Sequence, residues 1–231
     1  EKHLPQGCEI VVGDITDPES LQRAVKGCSV IYHCAGLPEQ WLQDNTQFFK
    51  VNTKGTQNLI QVAEQHSIQK FVYISTVDLF ATKAKQTYDE QTPLEPKKSP
   101  YTQSKFEADE IVTKAAQGGL PVVIIHPGAI YGPFYDPSQW FLKLTCDLAH
   151  NKVPLLPPGG LPVVYVNDLA KGCILAELKA KPGERYILSE SYQTWRDIGS
   201  IICSELGLEK APTQMPKWLA FSVASAAESF A

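Results

Sequence analysis

Lys70-Phe71-Val72-Tyr73-Ile74-Ser75 is an apolar run of strand length, and the segments on either side of it decide the fold class. A helical pattern covers residues 48–66 before it, and a helix that carries Tyr101 follows it after a polar loop. A second apolar run, residues 121–126, comes after that helix. Strands that are apolar throughout and alternate with helices are typical of a parallel sheet covered on both faces. The sequence therefore predicts a doubly wound α/β fold.

The same alternation continues toward the start of the chain. Apolar runs at residues 8–13 and 28–34 predict two further strands, and residues 18–26 between them have the pattern of a short amphipathic helix. Beyond residue 132 the pattern is less regular, with a helical segment over residues 134–144 and then a proline-rich turn. The regular part of the fold therefore precedes a smaller lobe.

Composition limits the class of protein. The 231 residues are 43% hydrophobic and 20% charged, which is typical of a globular chain. A net charge of −4 without a long basic run argues against nucleic acid as a partner, and the five histidines lack the spacing of metal ligands. No signal peptide or apolar run of membrane-spanning length is visible. The six cysteines include no C-x-x-C, so we expect buried thiols in a reducing compartment and a cytoplasmic protein.

A second informative stretch is Ser99-Pro100-Tyr101-Thr102-Gln103-Ser104-Lys105, which has the pattern of a helix start. Ser99 suits the N-cap and Pro100 the first helical position. Tyr101 and Lys105 are four residues apart, so they share one helix face, where the ammonium favours the phenolate. The spacing alone is weak evidence, since a chain with nine tyrosines contains such a pair by chance often enough.

Polar and small residues follow the predicted strands at their carboxyl ends. They are Gly13-Asp14, Ala35-Gly36, Ser75-Thr76 and Pro127-Gly128. Ligands of parallel sheets bind beyond these ends, so we expect a ligand site there, beside the Tyr101 helix. Taken singly, each motif is also explained by an ordinary turn.

The order of these motifs resembles that of the extended short-chain dehydrogenase/reductases. That group includes nucleotide-sugar epimerases and dehydratases, dihydroflavonol reductases and 3β-hydroxysteroid dehydrogenases. The motifs that carry the resemblance are Gly13-Asp14, His33-Cys34-Ala35-Gly36, residues 51–59, residues 71–76, Tyr101-x-x-x-Lys105, residues 126–133, residues 163–170 and residues 183–188. The resemblance implies a partial NAD(P)-binding Rossmann-type domain at residues 1–132. It implies that residues 133–231 are mainly a substrate-binding lobe, interleaved with the last strands of the sheet.

The resemblance also implies catalytic roles. Tyr101 would be the general acid/base for a substrate oxygen, and Lys105 would hold the nicotinamide ribose and depress the pKa of the phenol. Thr76 matches the second of the family's paired hydroxyls and would orient the substrate oxygen, with Ser75 as the alternative.

NAD or NADP is the cofactor that the resemblance implies. Asp14 and the backbone of Ile15 would bind the adenine, while Ala35 and Gly36 would let the cofactor approach the backbone. Asn52 matches a helix residue near the cofactor, although it could instead cap its helix. Pro127 would flank the nicotinamide. His33 and His126, by contrast, are expected to be hydrogen-bonded structural residues.

One family feature is missing from the sequence. The glycine-rich turn after the family's first strand, which cradles the pyrophosphate, occurs nowhere in these residues, and the acidic or basic residue that reads the ribose is absent too. We therefore interpret the chain as an internal piece of a longer protein that lacks the first two strands of the sheet.

Three functions stay open from the sequence. The first is a reductase or hydroxysteroid-dehydrogenase-like enzyme acting on a small ring-shaped substrate, and the second is a nucleotide-sugar epimerase or dehydratase. The chain has only Arg23, Arg185 and Arg196 as arginines to bind a substrate diphosphate, which favours the first, and we expect Arg185 on the surface. The third is a noncatalytic dinucleotide-binding sensor or scaffold. A homodimer is compatible with each.

The lobe offers two interpretations of its apolar residues. They could line a pocket for a ring-shaped substrate, or they could form the core of the lobe, and the second is the commoner role for such residues. The residues concerned are Phe134, Tyr135, Trp140 and Leu156.

Overall fold

The computed structural model describes residues 4–39, 41–81, 87–133 and 140–222. These residues form two compact units. The first contains the described residues up to His126 together with Lys171–Ile187, and the second contains Pro127–Ala170 and the described residues from Leu188 onward. Phe134 and Tyr135 lie outside the described residues.

The elements follow one another in a mostly alternating order. The strands are β1 (Val30–His33), β2 (Lys70–Ile74), β3 (Val122–Pro127), β4 (Ala129–Tyr131), β5 (Leu155–Leu156), β6 (Gly160–Tyr165), β7 (Arg185–Leu188), β8 (Ser191–Thr194) and β9 (Thr213–Gln214). The α-helices are α1 (Pro18–Val25), α2 (Thr46–Phe48), α3 (Thr56–Glu64), α4 (Pro100–Gln117), α5 (Trp140–Ala149), α6 (Val166–Lys179) and α7 (Trp195–Glu205). A π-helical stretch, Phe49–Gly55, joins α2 to α3, and Val77–Leu79 is a 3₁₀ turn.

The first unit is built on a sheet of order β1-β2-β3-β7. β1, β2 and β3 run parallel, with Ile31 opposite Phe71 and Phe71 opposite Val122. Phe71 belongs to the core shared with α1, α3 and α4, whereas its neighbour Val72, which points to the opposite face, is equally inaccessible to solvent. Each such side chain contributes about 1.5–3 kcal/mol when fully buried. Burial on both faces confirms the predicted doubly wound α/β fold.

The long helix α4 follows from local sequence signals. The Ser99 side chain accepts a hydrogen bond from the Thr102 N–H, and Pro100 occupies the first turn, as the sequence predicts. Ala108 and Val112 pack into the core one turn apart. The helix ends before Gly119, whose φ of +105° suits glycine and few other residues.

One predicted strand is wrong. Residues 8–13 form no strand, and Val12 within them is 87% exposed. A strand exists only where its N–H and C=O groups pair with a neighbour, and no described residue pairs with this segment as a strand. The apolar sequence is therefore present without the pairing that would make it part of the sheet.

The cysteines were also expected to be buried, and only two of them are. Cys173 and Cys203 are buried, whereas the other four are exposed, and all six are free thiols. The hydrophobicity of a sequence segment does not settle burial where the segment is a loop or an outward helix face. Among the described residues, no helix is long and apolar enough to cross a membrane.

The second unit contains the sheet β4-β6-β8 and the short pair β5-β9. β4 and β6 are parallel, and β6 and β8 are antiparallel. Its core includes Leu148 from α5 and Ile198 from α7, with Trp140 packed against them. Leu156 is fully buried. The described members of the proposed apolar pocket, Trp140 and Leu156, are therefore packing residues of this unit.

Gly160 provides a test of how tightly β6 and β8 pack. A Cβ at Gly160 would lie 2.7 Å from Thr194 Cα and would collide with the Gln193 carbonyl oxygen. Because both obstacles are backbone atoms, Gly160→Ala should lower the free energy of unfolding by about 3 kcal/mol, the upper part of the range for overpacking. Urea unfolding followed by tryptophan fluorescence measures this. Gly118→Ala, where the nearest atom would be 3.3 Å away, is the control and should shift stability much less. An equal effect of both changes would contradict the expectation.

Candidate active site

The carboxyl end of β2 and the first turns of α4 bring three predicted site residues together. Tyr101, Lys105 and Thr76 are each 7–8% exposed, although all carry polar groups. Thr76 is the second residue after β2, and Tyr101 and Lys105 lie in the first turns of α4. Buried polar groups persist in a fold when they have partners, so the contacts of these three side chains define the site.

Lys105 is fixed to the end of β2. Its Nζ donates a hydrogen bond to the Ile74 carbonyl oxygen at 2.8 Å and lies 4.8 Å from the centre of the Tyr73 ring. Burial lowers the pKa of Lys105 from 10.5 to about 8, against the opposing effects of Asp109 and of Cys34. Since an ammonium group has three donors, Lys105 has donors beyond the one that binds Ile74.

Tyr101 lies one turn before Lys105 on the same face of α4, in apolar surroundings. Its ring makes an edge contact with Phe48 at 6.1 Å. Burial, with the charge of Asp78, raises the pKa of the phenol to about 12, while a hydrogen bond with the Thr76 side chain acts in the opposite direction. The expectation that this pKa is depressed is therefore wrong for this structure. The phenol keeps its proton at neutral pH and can act as a proton donor.

The two hydroxyls after β2 have different surroundings. Ser75 Oγ donates to Asp109 Oδ2 at 2.8 Å, so its proton is committed to a buried carboxylate. Thr76 Oγ1 accepts from the Asp78 N–H at 3.2 Å and also interacts with the Tyr101 phenol. Of the two, Thr76 interacts with Tyr101, whereas the Ser75 hydroxyl is bound to Asp109.

Asn52 connects the loop after β1 to α4. Its Oδ1 accepts from the Leu37 N–H at 2.7 Å, and its Nδ2 donates to Ser104 Oγ at 3.0 Å. Asn52 sits inside the π-helical stretch rather than at a helix start, so the cap interpretation is wrong. π-helical turns inside helices are frequently found at functional sites.

Ala35 and Gly36 belong to the loop that Asn52 holds. A Cβ on Gly36 would lie 3.2 Å from Asn52 Oδ1, so a larger residue would crowd the Asn52 side chain that holds this loop. Both residues are exposed at the carboxyl end of β1. An exposed backbone with little side chain leaves room for a ligand to approach closely.

Asp14 and Ile15 form a turn before α1. Asp14 Oδ1 accepts from the N–H and the hydroxyl of Thr16, which lowers the pKa of the carboxyl group. The Ile15 carbonyl oxygen accepts from Asn58 Nδ2 at 3.3 Å. This turn is therefore attached to α3, and its carboxylate stays ionised at neutral pH. Pro127, the last predicted cofactor residue, is buried at the end of β3 and is counted in the second unit.

The two strand-end histidines are buried and hydrogen bonded, as expected of structural residues. His33 Nε2 lies 2.8 Å from Thr56 Oγ1, and burial lowers the pKa of its ring to about 3. His126 Nδ1 lies 3.0 Å from the Thr76 carbonyl oxygen.

One residue of this region was missed by the sequence. Asp109 is 1% exposed, and the guanidinium of Arg185, whose side chain is 23% exposed, lies 3.6 Å from its carboxylate. Asp109 follows Lys105 by four residues, so the helix spacing alone could have placed it on the Lys105 face. The partnership with Arg185 depends on β7 lying beside β3, which no local pattern shows.

The described residues contain no group of three or more histidine, cysteine, aspartate or glutamate side chains that could hold a metal ion. The three side chains grouped at the end of β2 supply a phenol, a hydroxyl and an ammonium group. A general acid, a hydroxyl that orients an oxygen, and a fixed cation suit proton transfer to or from an oxygen atom of a bound molecule.

Comparison with known proteins identifies similar chains. A family model described as "NAD dependent epimerase/dehydratase family" matches residues 1–189. A Synechocystis sp. protein described as "Putative dihydroflavonol 4-reductase" is 29% identical over 221 residues, covering 93% of this chain and 64% of the relative. A Shewanella oneidensis protein described as "2-alkyl-3-oxoalkanoate reductase" is 28% identical over 244 residues, covering 96% of this chain and 62% of the relative.

Solved structures show the same similarity. The Thermus thermophilus UDP-glucose 4-epimerase in complex with NAD superposes with a TM-score of 0.79 at 25% identity, covering 93% of this chain and 74% of that one. The chain spans less than two thirds of the length of the two curated relatives described above.

Proposed function

The chain belongs to the NAD dependent epimerase/dehydratase family, the extended short-chain dehydrogenase/reductases, and from this premise we propose that it carries the catalytic face of an NAD(P)-dependent reductase or hydroxyl dehydrogenase. The observation that carries the proposal is the placement of Thr76, Tyr101 and Lys105, all buried, at one end of β2. Two of the similar proteins are described as reductases, which supports the same class.

Each of the three residues has a role in this proposal. Tyr101 donates its proton to the carbonyl oxygen of the substrate, since the high pKa of the phenol keeps it protonated at neutral pH. Thr76 orients the same oxygen through its hydroxyl. Lys105, held by Ile74, supplies a positive charge and further donors beside the site. In the oxidative direction the proton passes from the substrate hydroxyl to Tyr101, and a protonated phenol must first lose its proton.

The residues present fit the nicotinamide ribose and the adenine of the implied cofactor, but not its pyrophosphate. The nicotinamide ribose would be held by the further N–H donors of Lys105 and by the exposed loop of Ala35 and Gly36, which Asn52 binds to α4. Asp14 would be available for the adenine. The cofactor would supply the hydride. The sequence contains no glycine-rich turn, so these residues do not account for binding of the pyrophosphate. NAD and NADP remain equal candidates, and a small carbonyl or hydroxyl compound is the proposed substrate.

An epimerase is the second candidate, favoured by the similarity to the UDP-glucose 4-epimerase. A nucleotide-sugar substrate carries a diphosphate, for which cations are needed. Arg185, one of only three arginines, is engaged by the buried carboxylate of Asp109 and does not serve that purpose. We therefore rank the reductase first.

Cofactor stoichiometry separates the candidates in the intact protein. We expect one reduced nicotinamide to be consumed per molecule of product, measured by its absorbance together with product formation from a panel of ketones and cyclic carbonyl compounds. An epimerase regenerates its cofactor in each turnover, so product without net consumption, with UDP-sugars as substrates, would overturn the ranking. Cofactor binding without turnover of any compound of either panel would favour a noncatalytic sensor.

The expected compartment and assembly state are part of the proposal. The six free thiols support a reducing compartment, such as the cytoplasm. A homodimer is compatible with the proposal, and sedimentation of the intact protein would test it.

A further inference from the structure

Asp109 lies on α4, one turn beyond Lys105, and is almost completely buried. Its carboxylate accepts the Ser75 hydroxyl at 2.8 Å and the Thr113 hydroxyl at 3.5 Å. Two cationic or ionisable side chains also face it, with the Arg185 guanidinium at 3.6 Å and His126 Nε2 at 3.7 Å. Burying a carboxylate costs free energy unless partners compensate its charge. These contacts therefore distinguish Asp109 from an ordinary residue on the surface of a helix.

The contacts of Asp109 complete a set of three anchors at the end of β2. Lys105 binds the carbonyl oxygen of Ile74, Asp109 binds the hydroxyl of Ser75, and His126 binds the carbonyl oxygen of Thr76. The anchors come from α4 and β3, and they hold three consecutive residues. The backbone that carries the Thr76 hydroxyl therefore has little freedom to move relative to α4.

The charge of Asp109 acts on Lys105 as well. Burial lowers the pKa of Lys105, and the Asp109 carboxylate is the larger of two opposing influences, the other being Cys34. His33 and the Tyr73 ring also face Lys105. The charged groups around Asp109 are Lys105 on its own helix and Arg185 on β7. The titratable groups that also face it are His126 on β3, whose pKa is lowered by burial, and Tyr73 on β2.

We propose that Asp109 is a positioning residue for the reaction at this site: it holds Ser75, and through that bond it fixes the end of β2 so that the Thr76 hydroxyl lies beside Tyr101 while Lys105 stays charged. The part of this inference that concerns catalysis rests on the proposed function. The part that concerns the β2 anchor stands on this chain's own hydrogen bonds, and the part that concerns Lys105 stands on the position of Asp109 one turn further along the same helix.

The matched pair Asp109→Asn and Ser75→Ala tests the two parts separately in the intact protein. Asp109→Asn keeps the size of the side chain and removes its charge, so Lys105 should lose its proton at a pH about one unit lower or more. NMR of lysine labelled at Cε and Nζ measures this without cofactor or substrate, with the Lys105 signal assigned by its absence in Lys105→Met. Ser75→Ala removes the bond but not the charge, so Lys105 should titrate as in the wild type.

Activity gives the second readout. Both variants should lower kcat, by about tenfold for Asp109→Asn and several-fold for Ser75→Ala, with KM for the substrate nearly unchanged. Only Asp109→Asn should move the fall of activity at high pH to lower pH. Thr113→Val removes a weaker hydrogen-bond partner of the Asp109 carboxylate, and it should change neither kcat nor the pH at which activity falls.

Two results would overturn the inference. One is a Lys105 titration that is the same in Asp109→Asn and the wild type. The other is a wild-type kcat in Ser75→Ala, a smaller change that removes one hydroxyl group and leaves the Asp109 carboxylate in place. If Lys105 shifts as expected but the wild-type protein turns over no substrate, the proposed reaction fails while the coupling of Asp109 to Lys105 is supported.

Discussion

Tyr101→Phe in the intact protein should lower kcat for carbonyl reduction by about 10²–10⁴-fold, the range expected when a general acid is removed. The substitution deletes one hydroxyl group and leaves the ring against Phe48, so packing of the buried side chain is preserved. What is lost is the only proton donor among the three grouped residues that is neutral and placed beside Thr76. The rate is measured by the disappearance of reduced nicotinamide under saturating substrate.

Tyr88→Phe is the matched control for this change. Tyr88 stacks on Phe80, with the ring centres 5.3 Å apart. Phenylalanine keeps the stack, so kcat should stay near the wild-type value. If Tyr101→Phe binds cofactor with wild-type affinity and also keeps wild-type kcat, the general-acid assignment is wrong. If both variants lose activity equally, a general loss of structure would be the cause.

The sequence predicted the middle of the fold well because the signals there are local. The apolar run of β2, the cap at Ser99 and the glycines after α4 each specify an element within a few residues. Once these elements are parallel strands joined by a helix, the strand ends must share one edge of the sheet. This is why Thr76, Tyr101 and Lys105 could be grouped without knowledge of any contact.

The errors share a different cause, since each depends on residues that are distant in the sequence. Residues 8–13 have the composition of a strand but form none, because pairing is decided by a neighbour. The ion pair of Arg185 with Asp109 was missed because the sequence around Arg185 does not reveal that β7 lies beside β3 and that Asp109 is buried nearby. Composition and periodicity describe a single segment, whereas strand pairing and ion pairs depend on how distant segments come together in the fold.

The pKa of Tyr101 shows the same limit in electrostatic terms. From the sequence, a lysine one turn away predicts an easily ionised phenol. In the structure, Lys105 is bound to the Ile74 carbonyl oxygen, and burial with the Asp78 charge outweighs any stabilisation of the phenolate. Burial is a property of the assembled fold, and here it reverses the predicted direction and favours the role of proton donor.

Lys105→Met should remove activity and change how stability depends on pH. The loss of kcat should be about 10²-fold or more, because the site loses its fixed cation. The wild-type lysine has a pKa of about 8 in the folded protein against 10.5 as its ordinary value. Between these two values the unfolded chain binds more protons than the folded protein, so the contribution of Lys105 to the free energy of unfolding rises with pH.

This depression corresponds to a penalty of about 3 kcal/mol for the buried charge below pH 8, which is gone above pH 10.5. Relative to the wild type, Lys105→Met should therefore be most stable near pH 7. The stability of the variant relative to the wild type should fall by about 3 kcal/mol as the pH rises through this window. Loss of the hydrogen bond to the Ile74 carbonyl oxygen adds a cost that does not depend on pH and leaves this change unaffected. Urea unfolding at a series of pH values measures the difference.

Lys114→Met, on the exposed side of the same helix, is the control for exchanging a lysine for a methionine. Only the buried position should produce a pH-dependent difference from the wild type. A difference for Lys105→Met that is flat between pH 7 and 11 would mean that Lys105 carries no penalty for its burial. The expected pair of results is that the buried charge of Lys105 destabilises the folded protein at neutral pH and that Lys105→Met removes activity. Together they would show that Lys105 serves the site through its charge and does not serve stability.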